Sequence, residues 1–246
     1  MTTRDDQPAR IPATQLRIMP LHAVTEVYGE AGLQRRLAVE SDRLAPPHRR
    51  TLADAAAWAT QVHAGQHRTR EPYINHPLRV TLRILCHYRV TDPDVLIAAL
   101  LHDTVEDQPS AVAGIAEHGP PPIEQALAAI ASRFNRRVAG LVAAVTTPAC
   151  PPGTDRIAHY LDHLRPALDD PWARVIKLSD FTDNGVGIIH SAGPLVTRSA
   201  RKYDPAVPVL RDFLDRADTP LDADVKDHIR SQLDLARHRF TAILAA

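Results

Sequence analysis

The chain is poor in the features that mark several classes of protein. It has two cysteines in 246 residues, Cys86 and Cys150. They make neither a disulfide framework nor a metal motif, so ordinary thiols in a reducing compartment are expected. It has no excess charge, with Lys plus Arg and Asp plus Glu at 29 each. No global field therefore draws in nucleic acid or a membrane surface, and an anionic ligand must find a local cluster of cations. No apolar run approaches the ~18 residues that span a bilayer. The opening MTTRDDQPARIPATQLRIMP lacks the apolar segment of a secretory signal. A cytoplasmic protein that binds no DNA and no membrane is the expectation. Internal repeats, low-complexity tracts and alternating strand patterns are missing too.

What remains is a sequence dominated by Ala and Leu with helical periodicity. Residues 1–22 are polar and read as a mobile arm, and a short helix is expected between His22 and Leu44. Thr51 is placed to cap a helix through about His63. Pro77 suits the first turn of a helix over Leu78–Tyr88. Thr91 or Asp92 caps a buried helix that Pro109 ends. Apolar positions from Ile123 to Val145 predict a helix over 123–147, and further helices are expected over Asp155–Leu168, Trp172–Ile189, Leu195–Arg216 and Leu221–Leu244. The fold class is all-α, with residues 1–47 as an N-terminal extension and 48–246 as the main domain.

One stretch does not fit a simple core helix. In LLHDTVED, Leu100–Asp107, His102, Asp103, Glu106 and Asp107 follow directly on the apolar run Leu96–Leu101. Neighbouring helix positions point about 100° apart, so His102 and Asp103 can both reach one ion beside the helix. Glu106 and Asp107 fall on the same face one turn on. Imidazole with carboxylate suits Zn, Mn or Fe better than Ca, and an ion relieves the cost of burying the charge. Two ligands rarely suffice. His76 of YINHP and Asp180 of VIKLSDFTDN complete a set of two histidines and two carboxylates with positions left for water.

The order HP…HDTVED…KLSD resembles the HD-domain metal-dependent phosphohydrolases. The fuller wording, HAGQHRTREPYINHPLRV and then TDPDVLIAALLHDTVED, resembles the hydrolase domain of the RelA/SpoT family, which includes short, hydrolase-only small alarmone hydrolases of the stringent response. The likeness covers Thr51 to Ile189. It implies an HD-domain helical bundle of about eight to ten helices and one Mn²⁺ ion held by His76, His102, Asp103 and Asp180. It implies that Glu106 and Asp107 position and deprotonate the attacking water or assist the leaving group. Arg68 matches an arginine that stacks on the purine, and Tyr73 and Asn184 match residues lining the nucleotide site. The implied reaction removes the 3′-pyrophosphate of (p)ppGpp to give GDP or GTP.

That chemistry suits the residue types. A divalent ion lowers the pKa of water and neutralises phosphate charge, a nearby carboxylate takes a proton, and Arg stacks on bases. Cations for the anionic substrate are offered by Arg68, Arg70, Arg79, Lys177, Arg198, Arg201 and Lys202. Two departures from the family pattern stand out. The turn QHRTREPY is one residue short, with Arg70 where Gly is common. FTDN, Phe181–Asn184, replaces the usual Arg-Leu-His-Asn and brings in Asp183. Both are placed on the base-recognition side, which leaves room for the same chemistry on ppApp, NADPH or a pyrophosphorylated tRNA end, including an antitoxin acting against a toxic alarmone synthetase.

Overall fold

The computed structural model describes residues 11–68, 71–116, 119–191 and 193–246. Arg70 and residues 1–10 of the expected arm lie outside the described residues. The architecture is all-α, as expected, apart from a two-stranded hairpin, β1 (His67–Arg68) and β2 (Glu71–Pro72), paired antiparallel. No described helix is long and apolar enough to cross a membrane.

The centre is α5 (Pro93–Leu101), whose residues from Val95 to Leu101 are all buried. Asp92, with Pro93 behind it, starts this helix by accepting from the Asp94 amide at 3.0 Å. Around α5 pack α3 (Pro46–Val62), α4 (Asn75–Cys86), α9 (Arg136–Val145) and α11 (Pro171–Gly185). α4 is buried all round from Asn75 to Leu85, its polar residues included. A helix that buries His and Arg on several faces has to supply partners for them, and those partners come from α11. Leu100 is fully buried in this core. We expect Leu100→Ala to cost about 2–5 kcal/mol, read from denaturant midpoints at unchanged slope.

Within the stretch read as an arm, Ala13–Ile18 form α1, and Leu16 is fully buried. α2 (Leu21–Glu40) packs along α4, with a non-helical Gly29 at φ 61° inside it. Several boundaries differ from the sequence reading for identifiable reasons. α3 starts at Pro46, not Thr51, because a proline at the first position costs the helix no hydrogen bond. The helix expected over 123–147 is two, α8 (Ile123–Arg133) and α9, because the Asn135 side chain accepts from the Val138 amide and caps a new start. α10 (Arg156–Asp169) and α11 begin at the capping carboxylates Asp155 and Asp170. α11 runs on into a 3-10 turn over Val186–His190. The expected helix over 195–216 is α12 (Pro194–Tyr203) and α13 (Ala206–Leu214), parted at Pro205, and α14 (Ala223–Ala245) closes the chain.

The departure that matters most lies in LLHDTVED. α5 ends at Leu101, His102 and Asp103 form a turn, and a separate short helix α6 (Thr104–Asp107) follows before α7 (Pro109–Ala113). Thr104 Oγ1 donates to the Leu101 carbonyl at 2.7 Å and His102 Nδ1 donates to the Ala99 carbonyl at 2.8 Å. Side chains thus satisfy carbonyls that a continuing helix would have used. His102 and Asp103 are consequently carried by a turn, not displayed on adjacent positions of one helix.

Candidate active site

Three segments bring ligand-type atoms to one point. His76 comes from the first turn of α4, His102 and Asp103 from the turn after α5, and Asp180 from the middle of α11. The imidazole nitrogens Nε2 of His76 and His102 lie 3.2 Å apart. Asp103 Oδ2 is 3.5 Å from the first and 3.2 Å from the second. Asp180 Oδ1 is 3.1 Å and 3.7 Å from them. Ligands at 2.0–2.2 Å from one ion sit about 2.8–3.6 Å from each other between right-angle and tetrahedral geometry, so the spacing matches a metal cage. His76, His102 and Asp103 thus form a cluster of ligand atoms that could hold one metal ion.

The proton inventory points the same way. His102 Nδ1 faces the Ala99 carbonyl, which can only accept, so in a neutral ring Nε2 is bare. His76 Nδ1 faces the Asp183 carboxylate at 2.8 Å, with the same consequence. Two lone pairs and two carboxylate oxygens then converge with no donor among them, which is an arrangement that calls for a cation. Without one, charge inside the cluster is redistributed. Burial opposes protonation of His102, but Asp103 and Asp180 outweigh it and push its pKa up to about 10. Burial likewise works to raise the Asp103 carboxyl, yet the His102 ring beside it, then His76, hold it well below the usual range.

Around the cluster the side chains named from sequence are tied together. Tyr73 donates its hydroxyl to Asp103 Oδ2 at 2.8 Å and stacks on His63. The Arg68 guanidinium lies 5.0 Å from the centroid of the Tyr73 ring. Arg68 Nη1 donates to Asn184 Oδ1 at 2.7 Å, and Asn184 Nδ2 donates to Asp180 Oδ1 at 2.7 Å. Arg68, Tyr73 and Asn184 therefore form one chain of contacts that ends on two of the candidate ligands. A cavity of about 950 Å³ shares Arg68, Asp183 and Asn184 with this network. It is walled further by His22 and Glu26 of α2 and by Tyr203 of α12, and its size is that of a nucleotide-scale ligand site.

Glu106 and Asp107 are exposed at α6. Glu106 Oε2 accepts from the Thr147 amide at 2.9 Å, and Asp107 Oδ2 accepts from Gln66 Nε2 at 2.8 Å. Although Glu106 is exposed as a residue, the protein atoms around its carboxyl group desolvate it and raise it above its ordinary pKa, and the charge of Asp103 adds to the rise.

Four further residues belong to this neighbourhood: Gln66 and His63, to which sequence reasoning gave no part in the site, Lys177, which it named only as one of several cations for the substrate, and Asp183, which it set on the base-recognition side. Gln66, from HAGQH, bridges His63 Nδ1 and Asp107 at 2.8 Å each. His63 is buried and stacks on Tyr73. Lys177 Nζ stands 3.8 Å from Asp180 Oδ2, its side chain largely buried. Asp183 requires a correction: the FTDN departure was placed on the base-recognition side, but Asp183 is buried behind His76 and ion-paired to Arg79 and Arg83. Arg79 is therefore committed to Asp183 and Glu71 and is not a free cation for a substrate. Only its visible position as a departure signalled Asp183.

Comparison with known proteins adds to this geometry. A protein-family model described as HD domain matches residues 55–182. The chain is 34% identical over 141 residues to a guanosine-3′,5′-bis(diphosphate) 3′-pyrophosphohydrolase of Aquifex aeolicus, a match covering 56% of this chain and 18% of that protein. It is 35% identical over 133 residues to the MESH1 enzyme of the same name from Xenopus tropicalis, covering 52% of this chain and 64% of that one, and equally so to the human MESH1. The chain spans less than two thirds of the length of these relatives. A solved structure, described as a metazoan orthologue of SpoT that hydrolyses ppGpp and plays a role in starvation responses, superposes with a TM-score of 0.55 at 23% identity, covering 77% of this chain and 95% of that one. At that identity the likeness speaks for the fold alone.

Proposed function

The chain belongs to the HD-domain family, and from that premise we propose that it is a metal-dependent hydrolase that removes the 3′-pyrophosphate of (p)ppGpp, giving GDP or GTP and pyrophosphate. The observation that carries this reading is the convergence of His76, His102, Asp103 and Asp180 at 3.1–3.7 Å with no donor between them. The names of the relatives supply the substrate class. Mn²⁺ is the proposed ion; the ligand set equally admits other divalent transition metals.

A bound divalent ion would lower the pKa of a water and offset phosphate charge. The chain's own residues do the rest. His76, His102, Asp103 and Asp180 hold the ion, with Tyr73 and Asn184 fixing the two carboxylates. Glu106, its proton affinity raised by desolvation, takes the proton of the attacking water, and Asp107, held by Gln66, positions that water or returns a proton to the leaving oxygen. Arg68 presents its guanidinium plane at the cavity wall for a purine, and Lys177 is the cation nearest the cluster for a phosphate oxygen. The cavity houses the nucleoside.

The departure that suggested other nucleotides does not favour them. Both Asp183 oxygens are occupied by His76, Arg79 and Arg83, so Asp183 has nothing left to offer the edge of a base. The test is chromatographic assay of ppGpp, ppApp and NADPH with metal-stripped protein, with and without added Mn²⁺. Release of GDP and pyrophosphate from ppGpp is expected only with the ion and faster than turnover of the other two. Failure to turn over any 3′-phosphorylated nucleotide in its presence would sink the reading.

A further inference from the structure

Asp183 has no part in the reaction as set out above, yet it is fully buried directly behind His76. Its Oδ2 accepts from His76 Nδ1 at 2.8 Å and from Arg79 Nη2 at 3.0 Å. Its Oδ1 accepts from Arg79 Nε and from Arg83 Nη2, both at 3.0 Å. Arg79 is itself forked onto Glu71 at 2.7 Å through each terminal nitrogen, and Arg83 Nη1 donates to the Ser179 carbonyl at 3.1 Å. Three side chains of α4 thus clamp one carboxylate of α11 in place, braced by Glu71 of the hairpin and by the Ser179 carbonyl.

Stability alone is a weak reason for such a cluster. Buried ion pairs roughly break even against apolar residues of the same volume. The directional consequence is the more informative one. A carboxylate only accepts, so His76 Nδ1 must carry the proton, and His76 Nε2 turns its lone pair toward Asp103, Asp180 and His102. Burial works to raise the Asp183 carboxyl, but Arg79, His76 and Arg83 outweigh it and keep it ionised.

We infer that Asp183 is a positioning residue: clamped by Arg79 and Arg83, it fixes the tautomer and ring orientation of His76 and thereby sets how tightly the site holds its ion. This rests on the metal reading above and adds a determinant to it. It also gives Arg79 and Arg83 a purpose that a phosphate-binding role would not. The carboxylate further raises the basicity of the ring nitrogen opposite, and outer partners of this kind alter metal affinity by about 10–100-fold.

The test is calorimetric titration of Mn²⁺ into metal-stripped wild type, Asp183→Asn and Arg83→Gln, with unfolding midpoints measured on the same metal-free samples. Wild type is expected to take up one equivalent. Asp183→Asn, which keeps the shape but loses the charge, is expected to bind about 10–100-fold more weakly. Arg83→Gln, which leaves the Asp183–His76 contact and the Arg79 half of the clamp standing, is expected to lose stability while weakening Mn²⁺ binding clearly less than Asp183→Asn does. Affinity that merely follows stability through both variants, or an Asp183→Asn protein that binds like wild type, overturns the inference alone. A wild type that takes up no Mn²⁺ overturns the metal reading and this inference with it. Should Asp183→Asn fail to fold, long-range nitrogen–proton NMR of the Zn²⁺-loaded wild type decides. A His76 proton on Nδ1 upholds the assignment, and ligation through Nδ1 with the proton on Nε2 overturns it.

Discussion

Asp103→Ala is expected to reduce ppGpp turnover by on the order of 10³-fold or more, because the charge stabilisation that a bound ion supplies is worth several kcal/mol and each ~1.4 kcal/mol is tenfold in rate. Among the candidate ligands, Asp103 lies within reach of both histidines. Its Oδ2 lies 3.2 Å from His102 Nε2 and 3.5 Å from His76 Nε2, and it accepts the Tyr73 hydroxyl at 2.8 Å. The alanine removes a ligand and also leaves the Tyr73 hydroxyl without its acceptor. The fold should survive, since Asp103 sits in a turn and the apolar run Val95–Leu101 packs without it. Far-UV circular dichroism should match wild type while calorimetry finds little Mn²⁺ uptake. Retention of both metal and turnover by this variant would remove Asp103 from the ligand set. Asp103→Asn, which keeps an acceptor for Tyr73 but loses the charge, should fall between the two proteins in metal affinity.

The reach of the sequence differs from residue to residue. The grouping of His76, His102, Asp103 and Asp180 was readable because His76 opens a His-Pro helix start, His102 and Asp103 end an apolar run, Asp180 follows apolar residues within α11, and the four come in a specific order along the chain. The central helix was readable from seven consecutive apolar residues with a capping Asp92. The break at His102–Asp103 was not. The apolar pattern before it and the backbone bond from the Asp107 amide to the Asp103 carbonyl at 2.9 Å after it both look helical. The interruption depends on the side-chain bonds of His102 and Thr104, which no periodicity records. The hairpin of β1 and β2 is too short for an alternation to register.

Asp183 was the harder case. Read locally it is one acid beside Asn184, and its role emerges only when α4 lies against α11. Arg79, Arg83 and His76 then reach it from about a hundred positions away in sequence. Tyr73 was assigned to the nucleotide, and its hydroxyl donates to Asp103, thirty positions on. In both cases the residue type was noticed and the partner was not, because a partner is a property of packing. The proposed substrate class comes from the names of the relatives, because neither the ligand geometry nor the lining of the cavity specifies it.

Glu106→Gln is expected to lower kcat by about 10²–10⁴-fold, the usual contribution of a positioned general base, with little change in KM or in metal affinity. The amide can still accept from the Thr147 backbone N–H that Glu106 Oε2 now holds at 2.9 Å, so the 146–155 connection should keep its place. The pH profile separates a proton acceptor from a structural acid. A base works only when deprotonated, so activity should be present above its pKa and lost as the pH falls through it. Desolvation of the carboxyl group by its neighbours, then the charge of Asp103, raise Glu106 above an ordinary glutamate even though the residue is exposed. An ion bound to Asp103 cancels the second cause and leaves the first and larger one. The acid limb of kcat/KM should therefore lie above the ordinary glutamate range in the loaded enzyme, and it should vanish from the residual activity of Glu106→Gln. The same acid limb persisting in the variant would pass the role to Asp107, whose carboxylate is held by Gln66. Gln66→Ala would then be the substitution that costs kcat, because it frees Asp107 from its only side-chain donor among the described residues.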